Sequence, residues 1–83
     1  MFEMVPTPES SKIAEVGYDE GAKELLVKLL DGDISIYMNV PREDWDRLLK
    51  AQSKGMYVNI ILKPKYGRRP GRRDAPVYPG QRS

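Results

Sequence analysis

The chain contains neither cysteine nor histidine. Without cysteine there is no disulfide framework, no thiolate nucleophile and no thiolate metal site. Without histidine, the commonest general base and the commonest metal ligand are also gone. Long apolar runs are missing too, and nothing approaches the ~20 residues that a membrane helix needs. The opening MFEMVPTPE is acidic and broken by proline, so it is not expected to serve as a secretory signal. These absences point to a cytoplasmic protein that uses no cofactor and no metal.

What is present sets further bounds. Eighty-three residues make one domain at most, and a chain so short buries only about 60% of its unfolded surface. A core of two or three elements is feasible, but a deep enclosed active site is not expected. The net charge of +2 hides a strong asymmetry. Residues 1–62 carry seven Lys/Arg against eleven Asp/Glu, a balance of −4. Residues 63–83 carry seven Lys/Arg against Asp74 alone, a balance of +6. Such a split suggests a basic end aimed at something anionic.

In chain order, residues 1–9 read as an N-terminal arm that Pro6 and Pro8 keep out of regular structure. Ser10-Ser11 then opens a strand in which Ile13, Val16 and Tyr18 share a face. A polar turn at residues 19–23 leads to a second strand, with Leu25, Val27 and Leu29 on one side and Leu26, Lys28 and Leu30 on the other. Asp31-Gly32-Asp33 marks a tight hairpin turn, because glycine tolerates the positive φ such turns require. The third strand sets Ile34, Ile36 and Met38 opposite Ser35, Tyr37 and Asn39. Pro41 closes it and opens a helix to Gln52, with Glu43, Asp44 and Asp46 in its first turns and Lys50 and Lys54 near its end. Trp45, Leu48 and Leu49 give that helix its apolar stripe.

Residues 57–62 are β-rich in composition, yet Ser53 can cap a second helix that Pro64 would close. The expected fold is therefore α+β: a three-stranded antiparallel meander packed against one helix, followed by a second short helix. Residues 67–83 read as an extended basic tail, with a near-repeat of Gly-Arg-Arg.

Several of these residues, in order, resemble the KTSC domain, a family named for its occurrence at the C-terminus of some lysyl-tRNA synthetases. It also occurs as a stand-alone bacterial or phage protein. The resemblance runs through Ser10 or Ser11, Ile13, Val16-Gly17-Tyr18, Leu25, Gly32, Tyr37, Val40-Pro41 and Leu48-Leu49. It continues through Ala51, Ser53-Lys54-Gly55, Tyr57, Asn59 and Tyr66, and so covers residues 10–66. Ser35 departs from the family, which has the first tyrosine of a Tyr-x-Tyr pair there. Pro64 and Leu62 depart as well, from glycine and isoleucine. The resemblance favours a helix after Ser53 and implies RNA binding with no catalysis attached. A phage origin would allow a virion location.

On function, the basic segment is the first candidate for holding nucleic acid, through Lys63, Lys65, Arg68, Arg69, Arg72 and Arg73 on phosphates. Tyr37 and Tyr66 are candidates for stacking on unpaired bases. The blander account of the tyrosines is packing area with a wet hydroxyl, which fits Tyr18 and Tyr57 better. For the arginines it is a solubilising terminus. Asp31 with Asp33, or Glu43, Asp44 and Asp46, resemble oxygen ligands for a hard cation. The turn explains the first pair and the helix dipole the second group. Ser53 lacks a base to activate it, so Ser53-x-Gly55-x-Tyr57-x-Asn59 reads as structural. An assembly protein whose tail binds a neighbouring subunit, or a regulator of a host enzyme, is the alternative to nucleic-acid binding.

Overall fold

A computed structural model describes residues 2–71 of the chain. Its sheet has five antiparallel strands in sequence order: β1 (Glu3–Pro6), β2 (Ile13–Asp19), β3 (Glu24–Leu29), β4 (Ile34–Tyr37) and β5 (Arg68–Pro70). The expected meander forms its centre. Its outer strands correct the three-strand expectation, because they come from the N-terminal arm and from the start of the basic tail. Pro6 does not prevent β1: it ends that strand at the sheet margin, opposite Glu15, where a missing N–H is tolerated. β5 forms without apolar side chains, since pairing with Ser35, Ile36 and Tyr37 needs only the backbone.

The turns follow the local chemistry. Asp19 Oδ1 accepts from the amides of Gly21 and Ala22 at 3.1 and 3.3 Å. In the second turn Gly32 adopts φ 98° and Asp31 Oδ1 accepts from the Asp33 amide at 3.0 Å. A bulge between Ile13 and Glu15 explains why Ile13, Val16 and Tyr18 can share one face despite their odd spacing.

Helix α1 (Arg42–Lys50) follows Pro41 and lays Trp45 and Leu48 on the sheet. There the Tyr18 and Trp45 rings stack, with centroids 5.6 Å apart and planes 13° from parallel. The second helix is also present, as α2 (Lys54–Tyr57), a π-helical segment (Val58–Leu62) and α3 (Lys63–Lys65). Ser53 caps it, its hydroxyl accepting from the Met56 amide at 3.3 Å. Val58 and Leu62 are buried one turn apart, and that burial overrides the strand propensity of the run. Pro64 does not close the helix, which runs on to Lys65. The proline ring would collide with the Ile60 carbonyl in a regular α turn, and the wider π turn just before it relieves the clash.

Both faces of the sheet are apolar. The helices cover Val16, Tyr18, Leu25, Val27 and Tyr37. On the opposite face Leu26, Ile34 and Ile36 cluster with Phe2 and Met4. As a candidate for stacking, Tyr37 needs an open ring face on the side of β4 that it shares with Ser35. It lies instead under the helices, 1% exposed.

Candidate nucleic-acid interface

The predicted site residues divide into two groups. Lys65 and Tyr66 are drawn to Asp44, which is buried at 2% exposure. The Tyr66 hydroxyl donates to Asp44 Oδ2, and the Tyr57 hydroxyl donates to Oδ1 at 3.0 Å. Lys65 Nζ lies 3.7 Å from Oδ2 and Arg47 3.5 Å from Oδ1, while the same Lys65 ammonium sits 5.4 Å from the centre of the Tyr66 ring. Burial by itself would raise the Asp44 pKa. The two hydroxyls and the two cations outweigh it and hold the carboxyl below its usual value. The Tyr66 and Tyr57 hydroxyls are pushed up, by burial first and by the Asp44 carboxylate second. Asp44 is thus a buried anchor joining α1 to the second helix, which the dipole argument alone did not disclose.

Arg69 is also engaged, its guanidinium 3.0 Å from Glu24 Oε1. Tyr37 has no free ring face, so stacking on a base through it is excluded by its burial. Tyr66 is half-buried against the core with its hydroxyl tied to Asp44. Arg72 and Arg73 lie outside the described residues.

Lys63 and Arg68 remain, and the fold brings them together. They line a cleft of about 430 Å³ between the second helix and the strands, and Lys12 joins them from the start of β2. None of these three cations forms an ion pair among the described residues. The floor is apolar, from Ile13, Val27 and Val58, while Ser35, Asn59 and Asp31 add polar groups. At Lys12, Gly55 and Asn59 the cleft continues into a second hollow of about 250 Å³, bounded by Ser10, Ser11 and Ser53. The Ser35 hydroxyl and the Asn59 amide make no side-chain hydrogen bond among the described residues.

Sequence reasoning missed Lys12, Ser35, Gly55 and Asn59 as site residues. The last two stand in the Ser-x-Gly-x-Tyr-x-Asn run, which reads from the sequence alone as structural. Lys12 carried no signal until the strand it precedes was placed beside the helix.

The acidic groups give no metal cluster: among the described residues no three potential ligands gather around one point. Asp44 is spent on the two tyrosines, and Asp31 orders its own turn.

The sequence profile of the KTSC domain matches residues 9–66. A protein from Tsukamurella paurometabola is 41% identical over 58 residues, which span 70% of this chain and 87% of that one. An uncharacterized protein from Stutzerimonas stutzeri is 35% identical over 60 residues, 72% of this chain and 84% of its own. Among solved structures, a KTSC domain protein from Yersinia pestis superposes with a TM-score of 0.78 at 26% identity, covering 84% of this chain and 97% of that one.

Proposed function

The chain belongs to the KTSC domain family, and from that premise we propose a non-enzymatic module that binds nucleic acid, RNA in preference to DNA. The observation that carries the reading is the cleft faced by Lys12, Lys63 and Arg68, three cations from separate segments with no carboxylate partner among the described residues. Unpaired cations are the ones that displace counterions from a phosphate backbone, whereas Lys65 and Arg69 already have acidic partners. Leu29 and the exposed Leu30, at the wall of the cleft, offer apolar surface to a sugar or base. The Asn59 amide and Ser35 hydroxyl offer partners to a 2′-hydroxyl or a base edge. Absence of histidine and cysteine leaves little to drive catalysis.

The test is an anisotropy titration of short single-stranded RNA and DNA at two salt concentrations. The whole chain is compared with one ending at Gly71, which keeps β5 in the sheet. The expected result is binding that strengthens at low salt, with a slope of about −0.7 per phosphate neutralised. It should weaken, without vanishing, when residues 72–83 are removed. Absence of binding to every oligonucleotide at low salt sinks the reading.

Protein assembly is the second reading, favoured by Met56 and Ile60, successive turns of the second helix and each 59% exposed. A concentration-dependent mass in sedimentation, abolished by Met56→Lys, would move it to first place.

A further inference from the structure

Gly55 has no reason to be glycine within the fold. It lies in α2, where glycine is a poor helix former compared with alanine. Its φ is not positive, unlike that of Gly32. A Cβ built on it would meet nothing within 4 Å. Gly17 and Gly71 are different: there a Cβ would come within 2.3 Å of Met4 Sδ and 2.4 Å of Ile34 Cγ2. Gly55 lines the cleft where its two parts meet, together with Lys12 and Asn59. Two further observations single out the same place. Lys12 has no ion pair and the Asn59 amide no hydrogen bond among the described residues.

We propose that a nucleotide unit of a single strand crosses the cleft over Gly55, its phosphate between Lys12 and Asn59 and its sugar and base against the apolar side chains that the cleft leaves accessible, Leu29 and Leu30. Glycine is needed there because a side chain would hold the strand off the helix backbone. The Lys12 ammonium neutralises the phosphate, and the Asn59 amide donates to an oxygen of the phosphate or ribose. The inference rests on the nucleic-acid reading above and adds where on the domain the strand lies.

Gly55→Ala separates binding from folding, because the two should move in opposite directions. The full chain and the variant are titrated with a fluorescent hexauridylate, and both are melted. Asn59→Ala is run alongside, and the Asn59 side-chain amide of the ¹⁵N-labelled wild type is followed by NMR. The expected outcome is a melting temperature for Gly55→Ala equal to or above wild type. Its affinity should fall about tenfold, the equivalent of one lost contact of this kind, with an unchanged salt slope because no charge is removed. The Asn59 amide resonances should shift on titration and Asn59→Ala should weaken binding. If the wild type binds but Gly55→Ala binds equally well and the Asn59 amide does not move, the strand lies elsewhere and the inference falls while the nucleic-acid reading stands. If the wild type does not bind at all, both fall together.

Discussion

The hydroxyl of Tyr57 donates to Oδ1 of Asp44 at 3.0 Å, and so fastens the second helix to a carboxylate buried in α1. Tyr66 holds the other oxygen of the same carboxylate. Removing the acid leaves two tyrosine hydroxyls and two cations without their acceptor. Asp44→Ala should therefore destabilise the domain by about 2–4 kcal/mol. Urea denaturation followed by circular dichroism measures it. A loss under about half a kcal/mol, typical of surface substitutions, would mean that the cluster holds nothing in place.

The same carboxylate sets an acid limit. Its folded pKa lies below the usual value, because the tyrosine hydroxyls, Lys65 and Arg47 outweigh burial. An ordinary aspartate in the unfolded chain titrates at about 3.9. The stabilisation is therefore fully present above about pH 4 and drains away as pH falls through the lower folded value. Stability curves of wild type and Asp44→Asn should stay apart from neutral pH down to about pH 4 and converge below it. Parallel curves throughout that range would contradict the assignment.

Trp45 joins the helix to the sheet through its stack with Tyr18, and both rings are almost fully buried. Trp45→Ala should cost about 3–5 kcal/mol, with Trp45→Phe retaining much of the difference. Far-ultraviolet circular dichroism reports both variants without needing the indole. Equal losses for the two would contradict this account, because phenylalanine restores both a ring beside Tyr18 and most of the filled volume.

The cations should sort by their partners. Lys63→Ala and Arg68→Ala should each reduce the salt slope of RNA binding by about 0.7 and leave the melting temperature near wild type. Lys65→Ala, which removes a contact to Asp44, should show mainly as lost stability. Titration and melting of these variants give the comparison. Indistinguishable salt slopes for all of them would place the electrostatic contact beyond residue 71.

The central strands and α1 were legible because turn residues and apolar periods agreed. Asp31-Gly32-Asp33 demanded a tight turn, and Pro41 a boundary. The outer strands were not legible, for two physical reasons. Pro6 reads as a breaker unless one knows it sits at a sheet margin, and Arg68-Arg69-Pro70 has no apolar period because its pairing is wholly through the backbone. The alternation along β4 is legible, with Tyr37 and Ser35 opposite Ile34 and Ile36, but nothing local says that a second cluster with Phe2 and Met4 claims the isoleucines and leaves the side of Tyr37 to the helices. Of the site, Lys63 and Arg68 were visible as charge. Gly55 and Asn59 were visible as residues, but a glycine with open space beside it differs from a packed one only once its neighbours are known.

The two margins of the sheet have a consequence for growth by further strands. β1 ends in Pro6, and β5 is three residues long, carries two arginines and ends in Pro70. An incoming strand would find amide donors missing at both borders, and guanidinium groups along one of them. The molecule therefore offers a poor template for edge-to-edge polymerisation, and a concentrated solution of it should resist conversion to cross-β aggregates.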